Sequence, residues 1–225
     1  MLFRSEQIAS IEQQMKKTGY FDGKDMAAAF NFLRPTDLYW NYVVNNYLLG
    51  NEPTAFDMLH WNSDSTRLPE KMHSEYLRCM YLNNLVVKNK YKIGDVEIDL
   101  SKIDTPMFSV ATTEDHIAPW RSVYQGLNAY NSHINFVLAN SGHIAGIIQG
   151  TENKPGKLHY YTKKFEKGKN QDEWFNSSKK VDGSWWPIWT AWLAVNSGDF
   201  KKPSELNVKK FEALYDAPGQ YVKQS

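Results

Sequence analysis

Two apolar runs, Met107-Phe108-Ser109-Val110-Ala111 and Ile134-Asn135-Phe136-Val137-Leu138-Ala139, decide the fold class. Each is short and bounded by turn residues, the pattern of a strand buried within a sheet. Between them, Pro119 can open a helix that runs to about Asn131. Strand, helix and strand with short links imply parallel pairing through a right-handed crossover, and so an α/β protein. Ligand sites in such sheets lie beyond the carboxyl ends of the strands. Two segments fall there: Glu114-Asp115-His116-Ile117-Ala118-Pro119-Trp120 after the first strand, and Ser141-Gly142-His143-Ile144-Ala145-Gly146 after the second.

An acid after one strand and a histidine after the next are the last two members of a nucleophile–acid–histidine system. The histidine takes a proton from the nucleophile and later returns one. A carboxylate on its other ring nitrogen fixes the tautomer and stabilises the imidazolium. The order acid then histidine is that of the α/β-hydrolase plan. Gly142 beside the histidine permits a tight turn. Spacing alone leaves two readings of Asp115 and His143, a catalytic pair or a pair of loop caps.

Upstream the pattern is helical. Ser5 can cap a helix over residues 6–17 with Ile8, Ile11 and Met15 on one face and Gly19 as its stop. Asp25 can cap a second, short helix. A third starts near Pro35 and carries the stripe Trp40, Val44, Tyr47 and Leu48. After an irregular stretch a fourth fits Lys71 to Asn84, with Leu77, Met80, Tyr81 and Leu85 on one face. Lys92 to Leu100 alternates and reads as a hairpin with a Gly94-Asp95 turn. From Gly150 to Lys180 the chain is polar and reads as loop, crossed by the aromatics Tyr160, Tyr161, Phe165, Trp174 and Phe175. Ser184 then caps a helix whose Trp185, Trp189 and Trp192 share a face. The expected organisation is a helical cap over 1–90, core strands with acid and base over 91–150, and a C-terminal loop and helix packed on the core over 151–225.

Composition excludes several classes. The formal charge of +1 on 225 residues gives no basic field for nucleic acid. No apolar run reaches membrane-spanning length. His60, His73, His133 and His159 show no paired ligand spacing, so neither metal nor cofactor is expected. The single cysteine rules out an internal disulfide and fits a reducing, cytoplasmic compartment. That cysteine, in Leu77-Arg78-Cys79-Met80-Tyr81, falls on an expected helix and reads as a packing residue.

Longer motifs add a resemblance. Glu114 to Trp120, Phe136 to Gly146, Phe32-Leu33-Arg34-Pro35-Thr36-Asp37-Leu38-Tyr39-Trp40 and Phe56-Asp57-Met58-Leu59-His60-Trp61-Asn62-Ser63-Asp64 occur in this order. With the Trp185–Trp192 segment and Ala217-Pro218-Gly219-Gln220-Tyr221-Val222, the chain resembles the poly(R)-hydroxyalkanoate synthases, particularly class I, from about Glu6 to Val222. The resemblance implies an α/β-hydrolase core with a helical cap. It also implies polymerisation of (R)-3-hydroxyacyl-CoA into polyester with release of CoA. The matching acid is Asp115 and the matching base His143. The family's nucleophile is a cysteine in a Gly-x-Cys-x-Gly box, which this sequence does not contain. The expectation is therefore a C-terminal part of a longer enzyme, inactive alone, its cysteine lying upstream. A homodimer through the cap and a place at the polymer granule surface are implied as partners. Arg34 could meet the phosphates of CoA or pair with Asp37; His116 could touch substrate or make a local contact. Trp40 and Trp61 read as cap packing or a dimer contact. An ester-hydrolysing enzyme and a non-catalytic granule-binding module stand as the alternatives.

Overall fold

The computed structural model describes residues 5–27, 40–53, 66–150, 156–203, 212–216 and 219–220. Arg34, Asp37, His60 and Trp61 lie outside them. The chain divides into two compact units, one formed by Met1–Pro106 with Gly126–His133, the other by Met107–Gln125 with Ile134–Ser225.

The first unit is helical. Helix α1, Ser5–Thr18, carries Glu6 in its first turn and Lys16 and Lys17 in its last, matching the helix dipole at both ends. Ile8 and Met15 are fully buried. Gly19 ends the helix at φ +79°, its N–H bonding to the Met15 carbonyl at 2.7 Å. Strand β1, Tyr20–Phe21, pairs antiparallel with β2, Leu68–Pro69. Helix α2, Glu70–Tyr76, follows directly, and its Ser74 and the Arg78 just beyond it both bind Glu12 of α1. Arg78 donates through Nε and Nη2 to the two Glu12 carboxylate oxygens, each at 2.6 Å, and Ser74 Oγ also donates to Glu12. These contacts hold the Glu12 carboxyl down at about 2, the Arg78 bond being the largest cause.

Three sequence expectations change in this unit. The short helix after β1 begins at Gly23, ahead of Asp25; Asp22 caps it, its Oδ1 accepting the Lys24 N–H at 2.9 Å. Asp25 instead accepts from Gln14 Nε2. The helix expected over Lys71–Asn84 is α-helical only to Tyr76, then winds as a π-helix over Leu77–Leu82. Of its expected stripe only Leu77 is buried, and Tyr81 is half exposed. The stripe of Trp40, Val44, Tyr47 and Leu48 fares likewise: Val43–Leu48 is π-helical, and all four side chains are exposed. Hydrogen bonding five residues back widens each turn, so apolar residues three and four apart no longer stack on one face. The expected hairpin is present as β3, Lys92–Ile93, and β4, Val96–Glu97, with Gly94 at φ +58° in its turn. Cys79 is partly buried and unpaired with any other cysteine.

The second unit is built on a mixed sheet of four strands that neighbour one another in chain order. Strands β5, Met107–Thr112, and β6, Ile134–Ala139, run parallel, with Val110 opposite Val137 and Thr112 opposite Ala139. Helix α3, Trp120–Gly126, lies between them in the chain and starts just after Pro119, as expected. The region expected as loop instead contains β7, His159–Lys164, helix α4, Gln171–Ser177, and β8, Lys179–Asp182, both strands antiparallel to their neighbours. The sheet is thus mixed rather than wholly parallel.

Strand β6 is buried on both faces because each has an aromatic cover. Phe136 meets Tyr124 and Trp174 edge-on at 5.2 and 4.8 Å between ring centroids, and Tyr124 also meets Phe165. On the opposite face, Val137 and Ala139 pack with Tyr160 and Trp185, joined by Phe108 and Val110 of β5. Trp185 immediately precedes helix α5, Trp186–Asn196, and Phe108 contacts both Trp185 and Trp192. Trp189 touches the Trp185 ring but stays partly exposed. Among the described residues no helix is long and apolar enough to cross a membrane.

Candidate active site

Asp115 and His143 leave the carboxyl ends of the adjacent parallel strands β5 and β6, and the structure joins them. His143 Nδ1 lies 2.8 Å from Asp115 Oδ2. The other carboxylate oxygen is also used: Asp115 Oδ1 accepts the Ile117 and Ala118 backbone N–H groups, each at 2.8 Å. The acid therefore caps its own loop with one oxygen and meets the histidine with the other. Its side chain is 9% exposed, whereas that of His143 is 46% exposed. Burial pushes the Asp115 carboxyl up; the Ala118, His143 and Ile117 donors together outweigh it, and the net shift is down. The group is thus ionised near neutral pH and can only accept hydrogen bonds. A neutral His143 must then carry its proton on Nδ1, which leaves Nε2 with a free lone pair.

The turn after β6 takes its strained residue at Ser141, φ +80°, and Gly142 has no positive φ. The tight turn falls on the serine and not on the glycine beside the histidine, where the sequence suggests it. A left-handed serine is uncommon and costs on the order of 1 kcal/mol. The Ser141 carbonyl accepts the Glu114 N–H at 3.0 Å, tying the histidine turn to the acid loop, and Thr113 N–H bonds to the Ala139 carbonyl.

Residues that the sequence reading passed over fix the rest of the histidine loop. Asn140 is a bracket: its Nδ2 donates to the Lys157 carbonyl, and its Oδ1 accepts the His159 N–H at 3.0 Å and Gln149 Nε2 at 3.3 Å. Gly146 sits where a Cβ would come within 2.4 Å of Thr112 Cγ2 and 2.8 Å of the Asn140 carbonyl oxygen, so only glycine fits. An Asn directly after a buried strand and a Gly three residues past the histidine are weak signals, visible only once the turn is known.

Among the other sequence candidates, His116 is exposed beside the acid. Arg34 lies outside the described residues. Among the described residues no group of three His, Cys, Asp or Glu is arranged to hold a metal ion.

A mixed sheet with a carboxylate-oriented histidine at the ends of two parallel strands defines a class: α/β proteins with an acid–histidine pair at the strand ends. Relatives narrow it. The chain is 44% identical over 218 residues to a poly(3-hydroxyalkanoate) polymerase of Methylorubrum extorquens, covering 96% of this chain and 36% of that protein. It is 42% identical over 224 residues to poly(3-hydroxyalkanoate) polymerase 2 of Ectopseudomonas oleovorans, covering 98% and 39%. It is 42% identical over 206 residues to the poly(3-hydroxyalkanoate) polymerase subunit PhaC of Cupriavidus necator, covering 89% and 34%. By sequence the chain is a homologue of the poly(3-hydroxyalkanoate) polymerases along nearly its whole length, and it spans about a third of the length of the curated relatives it matches. No protein-family model matches it.

Proposed function

We propose that this chain contributes the general base, His143, and its orienting acid, Asp115, to a polyester synthase of the α/β-hydrolase type that polymerises (R)-3-hydroxyacyl-CoA. The observation that carries the reading is the 2.8 Å bond between His143 Nδ1 and an Asp115 already oriented by two backbone N–H groups. The homology of the chain to the polymerases supports the substrate class.

The nucleophile is a cysteine thiol outside this chain. His143 Nε2 takes the thiol proton as sulfur attacks the acyl carbon of the CoA thioester. The tetrahedral intermediate collapses, breaking the bond to the CoA sulfur, and His143 returns the proton to that leaving group. The hydroxyl of a second acyl unit, or of the growing chain, then gives its proton to Nε2 and attacks the acyl-enzyme, extending the polyester and releasing the cysteine. Asp115 stays ionised throughout and stabilises the imidazolium formed in each half-reaction. In this reading the helical segment 1–90 acts as cap and dimer surface, Arg34 meets the CoA phosphates, and His116 lines the substrate approach at the granule surface.

The test is CoA release from (R)-3-hydroxybutyryl-CoA by the full-length gene product. His143→Ala should lower the rate on the order of 10³-fold. Wild-type activity in His143→Ala overturns the assignment, and release of free hydroxyacid from polymer instead of CoA from thioester makes the protein an esterase.

A further inference from the structure

The loop that carries His143 has little apolar anchorage. Ile144 and Ile148 are each more than half exposed, and Ile147 is also exposed. Its internal bonds are those of a short turn: Gly146 N–H to the Gly142 carbonyl, the Ile147 and Ile148 N–H groups to the Ile144 carbonyl, and Gln149 N–H to the Ile147 carbonyl. Such a turn leaves the Gly146 and Gln149 carbonyls without a partner inside it, and a turn held only by its own bonds opens readily.

Three consecutive residues at the start of the tryptophan helix reach those two carbonyls and add a second donor to that of Ile147. Ser184 Oγ donates to the Gln149 carbonyl at 2.7 Å, Trp185 Nε1 to the Gly146 carbonyl at 3.0 Å, and Trp186 Nε1 to the Ile147 carbonyl at 2.9 Å. The donors rest on a firm base. Ser184 and Trp185 are each 6% exposed, and the Trp185 ring packs on Val137 and Ala139 of β6, the strand that leads into the histidine turn. Ser184 Oγ in turn accepts the Trp186 N–H at 3.1 Å, so the three residues are themselves locked.

We infer that Ser184, Trp185 and Trp186 are positioning residues that hold the far side of the histidine loop and so set the His143 ring against Asp115. Asn140 brackets the near side. Indole N–H groups suit the task because they donate without accepting and lie at the edge of a rigid ring whose remainder can be buried. None of the three donors titrates near neutral pH, so the hold is independent of the protonation cycle of the histidine. Its meaning for catalysis rests on the acyl-transfer reading; the hold itself does not.

The experiment uses the full-length gene product with ¹⁵N at histidine, the His143 signals being assigned by their disappearance in His143→Gln. Ring ¹⁵N shifts report which nitrogen carries the proton, and hydrogen exchange by mass spectrometry follows peptides covering 143–149 and 134–139. Wild type should show His143 as the Nδ1–H tautomer. In Ser184→Ala/Trp186→Phe, which leaves the Trp185 ring in place, the tautomers should become mixed. Exchange over 143–149 should rise at least about tenfold while 134–139 stays protected. Trp185→Phe should act in the same direction. An unchanged His143 tautomer in these variants overturns the inference. So does equal loss of protection in loop and strand, the mark of a packing role alone, and so does an unfolded double variant with unchanged His143 signals in both single variants. Because none of these readouts is polymer synthesis, the clamp and the acyl-transfer reading can fail separately.

Discussion

The loops of Asp115 and His143 leave neighbouring strands and meet at the Asp115–His143 bond and at the backbone bond from Glu114 to Ser141, yet they are otherwise held in different ways. The acid loop closes on itself: the side chain that faces the histidine also caps the turn, through residues two and three positions ahead. The histidine loop depends on distant chain. Its near side is bracketed by Asn140 to Lys157 and His159, and its far side is held from residues 184–186. Local bonds of this kind re-form whenever the turn does. A long-range bracket exists only while the sheet and the C-terminal helix are packed. The acid's placement should therefore tolerate damage elsewhere, whereas the base should register every disturbance of the tryptophan face.

The largest effect that sharpens this contrast is catalytic. Asp115→Asn keeps a similar shape but removes the acceptor that fixes the Nδ1–H tautomer, and CoA release should fall on the order of 10³-fold with thioester affinity little changed. Next comes Trp185→Ala, which opens a cavity beside Val137 and Ala139 and should destabilise by about 3–5 kcal/mol in denaturant unfolding. Gly146→Ala forces a Cβ against Thr112 and the Asn140 carbonyl and should cost about 1–3 kcal/mol, with faster exchange over 143–149 and unchanged exchange over 115–118. If the acid loop loosens equally, the two loops are not independently held.

The smallest effect runs the other way. Asp115 has its pKa lowered on folding, so its contribution to stability is present above the unfolded value of about 3.9 and is lost as pH falls through the lower folded value. In that window the Ile117 and Ala118 amides should lose exchange protection, while the bonds from Trp185, Trp186 and Asn140, which do not titrate, persist. Loss of both sets together would break the contrast.

The same division between local and long-range determination explains what could be read from the sequence. Strands β5 and β6 were legible because both are largely covered, leaving short apolar runs that only Ser109 and Asn135 interrupt. Strand β7 was not: Tyr160 and Tyr161 sit among lysines, and its pairing with β6 comes from tertiary contact that hydropathy does not encode. The helices over residues 40–48 and 71–84 carried a 3.6-residue stripe, but π-winding dispersed it. At the site, both Asp115 and His143 followed from strand order. Spacing left open whether the acid caps a loop or serves the histidine, and it uses one oxygen for each. The turn strain falls on Ser141, whose carbonyl accepts from Glu114 in the other loop, a partner distant in the chain and hidden from a local rule. Ser184 was read as a helix cap, and it does accept the Trp186 N–H, but its second bond, to the Gln149 carbonyl, joins segments 35 residues apart.

The central claim is that Asp115 acts through His143. A double-mutant cycle on CoA release tests it most directly, with Asp115→Asn, His143→Ala and the combined variant in the full-length gene product. Groups working as one unit are non-additive. The account predicts that the combined variant is no slower than His143→Ala alone. A combined loss equal to the product of the two single losses would contradict it, since the acid would then contribute without the histidine.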